Sequence, residues 1–138
     1  MTVIECVRDW LKEYPGLSGR LDVDFLGEDA DTYSIDTIPS EEVIKRYKSG
    51  CVKQFQFAVS SRRFYDQNIA QNIDNLKFFE DLGAWVEQQA KARQLPEMDG
   101  GRTALKIIVT STAYPFIVSE DGKARYQMQM RLEYYKEA

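Results

Sequence analysis

The chain has 138 residues, of which 43% are hydrophobic and 29% charged, and a formal net charge of −4. That length fits one domain, residues 1–138, large enough to bury a core of its own. The acidic balance argues against direct sequence-specific nucleic-acid binding, which needs clustered Lys and Arg, and the complete lack of histidine removes His-based triads, most zinc sites and the commonest general base.

The N-terminal stretch "MTVIECVRDW" carries charges in its first turns, which predicts no signal peptide. Thr2 and Glu5 fit a capping box for a helix whose inward face is Ile4, Val7, Leu11 and Tyr14, joined by Trp10. Pro15-Gly16 stops it. "RLDVDFLG" alternates Leu21, Val23 and Phe25 inward against Asp22 and Asp24, a strand ended by Gly27; "TYSIDTI" alternates Tyr33 and Ile35 in the same way. The acidic run "DVDFLGEDAD" lacks the spacing of an EF-hand loop and reads as a solvated turn. Residues 41–48 fit either the first arm of a hairpin turning at Lys48-Ser49-Gly50 or a short helix capped by Ser40. In "CVKQFQFAVS" Phe55, Phe57 and Val59 face the core, with Gln54 and Gln56 outside. "SSRRFYDQN" reads as a loop entering a helix, with Arg62 and Arg63 suited to a protein interface.

From about residue 66 to residue 94 the period becomes helical. Ile69, Ile73, Leu76, Phe79, Leu82, Val86 and Ala90 form the expected inward stripe, capped by Asp66 or Asn68 and ended by Leu95-Pro96. Gly83 costs about 1 kcal/mol relative to Ala in a helix interior and suggests close packing or a bend. "ALKIIVTSTAYPFIVS" reads as one long strand bent at Pro115, followed by a type I′ turn at Asp121-Gly122. The closing "KARYQMQMRLEYYK" alternates without a break. Ala124, Tyr126, Met128, Met130, Leu132 and Tyr134 share one face; Arg125, Gln127, Gln129 and Arg131 share the other. The expected fold is α+β: an antiparallel or mixed sheet of about 4–5 strands, two main helices on one face, order α-β-β-β-α-β-β.

No chemistry stands out. Neither Cys6 nor Cys51 has a histidine partner; both read as reduced cytosolic thiols, Cys6 in the core. No apolar run approaches the roughly 18 residues of a membrane span. The expectation is no enzyme, no cofactor and no metal site. The interface candidates are Arg62, Arg63, Arg125, Gln127, Gln129 and Arg131.

Several segments together, "VDFLG" at 23–27, "YSID" at 33–36, "IKRYKSGCVKQFQF" at 44–57, "SSRRFYDQNIAQNIDNLKFFEDLGAWVEQQ" at 60–89 and "KARYQMQMRLEYY" at 123–135, resemble the small minor capsid or tail-terminator proteins of long-tailed phages and prophages of Gram-positive bacteria. The resemblance spans nearly the whole chain and carries no catalytic signature. It implies a small α+β protein that assembles with itself as a ring, usually a hexamer. Such a ring caps the tube of major tail protein and presents it to the head–tail connector or stopper. It implies assembly in the bacterial host cytoplasm and residence at the head–tail junction of the virion. The alternatives are a head-completion (stopper) protein and, outside that class, a small non-viral ligand-binding or regulatory α+β domain.

Overall fold

The computed structural model describes residues 1–17, 21–65 and 69–138. Its elements are α1 (Val3–Leu11), β1 (Leu21–Val23), β2 (Thr32–Ile38), β3 (Val43–Tyr47), β4 (Gly50–Phe64), α2 (Ile69–Lys91), β5 (Arg102–Val109), β6 (Tyr114–Val118) and β7 (Lys123–Glu137).

The spine is a pair of 15-residue strands, β4 and β7. They run antiparallel in unbroken register from Gly50↔Glu137 to Phe64↔Lys123. β2 and β3 lie end to end along the outer edge of β4, beside residues 56–62 and 50–53. β5 and β6 do the same along β7, beside residues 130–136 and 124–127. β1 extends the sheet parallel to β2 through Leu21↔Tyr33. The buried side chains form one cluster. It joins Val7, Trp10 and Leu11 of α1, Phe79, Leu82 and Val86 of α2, and the inward residues of β4 and β7. Both helices therefore pack on the same face. Each fully buried large side chain contributes about 1.5–3 kcal/mol. Where the helices meet, the Trp10 and Trp85 rings lie 4.9 Å apart, and Trp10 Nε1 donates to the Gln94 carbonyl at 2.8 Å.

The class is α+β, but the expected 4–5 strands and their order are wrong: the sheet has seven strands in the order α-β-β-β-β-α-β-β-β. Residues 43–47 form a strand paired with β4, which settles the alternative at 41–48 in favour of the hairpin. β4 runs on through Phe64, so "SSRRF" is strand and not loop. The segment expected as a single strand around Pro115 divides into β5 and β6. The amides of Thr110 and Ser111 both donate to the Gln129 carbonyl, and Gln129 N–H donates to Ser111 Oγ. That local irregularity uncouples the two pieces. β1 ends early because Asp24 adopts a left-handed φ of 52°, which aspartate tolerates better than most residues. Its carboxylate then accepts the Thr37 amide at 2.7 Å. Val23 and Phe25 are consequently exposed, not inward.

Two further expectations change. Among residues 119–123 only Gly122 has positive φ (78°), and Gly122 N–H donates to the Ser119 carbonyl. That is a type I turn followed by a left-handed glycine, not the type I′ turn, which needs two positive φ values. In α2 the inward stripe is Asn75, Phe79, Leu82 and Val86, while Ile69, Ile73 and Leu76 are exposed. Buried Asn75 takes the inward position. Its amide donates to the Phe64 carbonyl at 2.7 Å and its oxygen accepts from Arg63 Nε at 3.3 Å, tying the helix to the end of β4. The proposed caps Asp66 and Asn68 lie outside the described residues. Thr2 does cap α1, its hydroxyl accepting the Glu5 amide at 3.2 Å. Among the described residues no helix is long and apolar enough to cross a membrane.

Candidate functional site

Because both helices pack on one side, the second face of the sheet is left without a helix. β4 contributes Gln54, Gln56, Ala58, Ser60 and Arg62 to it. In register beside them stand Glu133, Arg131, Gln129, Gln127 and Arg125 of β7. At a rise of about 3.3 Å per residue, the row from Arg125 to Arg131 spans roughly 20 Å.

One end of this face is a polar knot. Asp36 of β2 accepts from Ser34 Oγ at 2.7 Å, Ser60 Oγ at 2.6 Å and Arg125 Nη2 at 2.5 Å. Both serines are fully buried, so the carboxylate satisfies hydroxyls that would otherwise be orphaned. The Arg125 guanidinium lies 5.4 Å from the centre of the Phe116 ring, and Phe116 and Tyr114 are 40% and 43% exposed. Arg125 Nε is buried with no partner among the described residues. At the other end Glu133 accepts from Arg131 at 3.1 Å, with Lys106 at 3.6 Å. Between the ends, the side-chain amides of Gln127 and Gln129 make no hydrogen bond with a described residue.

The six candidate residues thus divide by role. Arg125, Gln127, Gln129 and Arg131 share the open face. Arg62 is on it too, but its Nε donates to the Gly27 carbonyl at 2.7 Å and holds the loop before β2 in place. Arg63 points to the helix side. It pairs with Asp31 at 3.2 Å and lies 4.8 Å from the centre of the Phe78 ring, so it is a structural cross-link. Sequence reading missed Asp36, Ser34 and Ser60. The period-two spacing of Ser34 and Asp36 in "TYSIDTI" carried the signal that they share a face, but nothing local said that Arg125 would join them.

Chemically this face can donate and accept hydrogen bonds along a ladder of amides and guanidinium groups, flanked by two exposed aromatic rings. No family model matches the chain, and no curated protein matches it.

Proposed function

We propose that the chain is a phage virion assembly protein, a tail terminator or close neck component that caps the tail tube and joins it to the head. In this reading it assembles with itself as a ring, usually a hexamer. It meets the major tail tube protein on one side and the head–tail connector or stopper on the other, first in the bacterial host cytoplasm and then at the head–tail junction. It catalyses no reaction. The resemblance of the sequence supplies the role.

The observation that carries the reading is the helix-free face of the β4–β7 spine. Arg, Gln and exposed Tyr and Phe lie there in one band. Aromatic residues and Arg are enriched in non-obligate interfaces, whose overall polarity keeps the free subunit dispersed. A face built on two central strands paired in unbroken register can meet another protein with little loss of conformational freedom.

Deletion of the gene from an inducible prophage tests it. The expected outcome in electron micrographs is DNA-filled heads alongside tails of uncontrolled length. Tails of normal length that still join heads overturn the reading. Tails of normal length detached from heads replace it with the stopper role.

A further inference from the structure

Between the exposed side of α2 and the end of β5 with the β5–β6 connection (Val109, Thr112 and Ala113) lies a groove of about 610 Å³. Its floor is apolar, formed by Phe79, Val109 and Met128, and the acidic residues lining it are Glu80 and Glu87. Among the described residues no basic one lines it. Gly83 lies in the groove wall, and a Cβ built there meets nothing nearer than Met128 Sδ at 3.9 Å. Packing within the chain therefore does not demand glycine at this helix-weakening position. What the missing side chain supplies is clearance in the groove.

On the opposite edge of the sheet, the β3–β4 hairpin presents the complementary chemistry. Ile44 and Tyr47 are 48% and 50% exposed. Lys45, Arg46 and Lys48 are exposed around them. The base of the hairpin is held firmly. Lys53 donates to the Glu42 carboxylate at 2.8 Å, which holds the Lys53 ammonium above its ordinary pKa. Gln54 Nε2 donates to the Glu41 carbonyl at 2.6 Å. β3 flanks β4, whereas the groove lies at the far side of the sheet, at the β5–β6 break along β7.

We propose that the hairpin tip of one copy docks in the α2–β5 groove of the next, Ile44 and Tyr47 covering the apolar floor and the basic side chains meeting Glu80 and Glu87. Charge complementarity selects a second copy as occupant, and the choice rests on the ring reading above. Patches on opposite edges make a head-to-tail contact. Such a contact closes into a ring or propagates, and does not stop at a two-fold dimer.

The test is a charge exchange, read by sedimentation velocity on the full chain from micromolar to millimolar concentration at low salt. Variant one carries Lys45→Glu, Arg46→Glu and Lys48→Glu; variant two carries Glu80→Lys and Glu87→Lys. All five positions are exposed, so folding survives. The wild type is expected to form oligomers larger than dimers. Each variant alone should weaken association at least tenfold. An equimolar mixture should restore it, because each acidic hairpin then finds a basic groove and each basic hairpin an acidic one. Gly83→Leu, which fills the groove without touching a charge, should also abolish association. A wild type monomeric throughout, a variant that associates normally, or a mixture that fails to recover overturns the contact. The tail phenotype is read separately. Restored association with unchanged tail length in the deletion keeps the contact and removes the tail reading. Charge-reversed variants that still cap tails remove the contact and keep the tail reading.

Discussion

Arg131 and Leu132 are neighbours on β7 that face opposite ways. Leu132 is fully buried opposite Phe55, and Leu132→Ala should lower stability by about 2–5 kcal/mol, the lost transfer energy plus the cavity. Arg131 is partly exposed, but its partner Glu133 is largely buried, so Arg131→Glu, which sets a second carboxylate beside Glu133, should cost more than the about 0–1 kcal/mol of an exposed pair. The loss in a urea titration should still be smaller than that of Leu132→Ala, while tail capping is impaired if the open face meets the tube. A stable and fully active Arg131→Glu protein would mean that this face meets only water. The knot at the other end behaves differently. Asp36→Ala strands two buried hydroxyls and should cost about 1–3 kcal/mol. The loss should shrink in an Arg125→Ala background, and equal losses in both backgrounds would show the pair to be uncoupled. The alternation of β7 was legible residue by residue because one of its faces is wholly buried. Arg63 was not legible, since a charged side chain on the helix side is explained only by Asp31 and Asn75, remote in sequence.

At the scale of elements, glycines separate two kinds of constraint. A Cβ at Gly50 would run into the Lys136 carbonyl across the β4–β7 ladder, so Gly50→Ala should destabilise by about 1–3 kcal/mol through overpacking. Gly83 has no such neighbour. Gly83→Ala should leave stability unchanged or raise it by up to about 1 kcal/mol, so in thermal melts Gly50→Ala should fall and Gly83→Ala should not. If Gly83→Ala melts lower than the wild type, the glycine is a packing requirement after all. The β3–β4 hairpin showed in the sequence as a turn signal between alternating arms, although a capped helix competed for the same residues. The inward face of α2 did not show. Its apolar residues obey helical spacing, but the native helix places Asn75 inward and leaves Ile69, Ile73 and Leu76 outside, and a stripe of apolar residues cannot reveal that a polar side chain will be fully satisfied in the core. The β5–β6 break was hidden for a similar reason: its cause is hydrogen bonding to Gln129 on another strand.

For the molecule as a whole, the β2–β4, β4–β7 and β5–β7 pairings join strands that are not consecutive in the chain, and the two spine strands are separated by α2, β5 and β6. Which strands pair across those separations, and that β1 runs parallel to β2, alternation alone does not specify. The same topology grades stability across the sheet. Residues 57–61 of β4 are hydrogen-bonded to β2 on one side and β7 on the other, and residues 130–132 of β7 to β4 and β5. Their inward side chains, among them Phe57, Val59, Met130 and Leu132, are buried. β3 and β6 are five residues each, lie on the edges, and are mostly or wholly exposed. Amides whose opening exposes little apolar surface exchange through local fluctuations, whereas doubly paired core amides need the whole domain to unfold. Native-state hydrogen exchange in low denaturant should therefore give the spine amides the full unfolding free energy and its full denaturant dependence. The β3 and β6 amides should exchange at markedly lower free energy, with little denaturant dependence. Equal free energies for β3 and the spine would refute this gradation and make the hairpin part of the cooperative core. The graded outcome has a further consequence for assembly. Docking the hairpin tip of one copy against the next would protect β3 amides in the oligomer while leaving those of the spine unchanged, so the same measurement repeated at associating concentrations would locate the contact on β3 or rule it out.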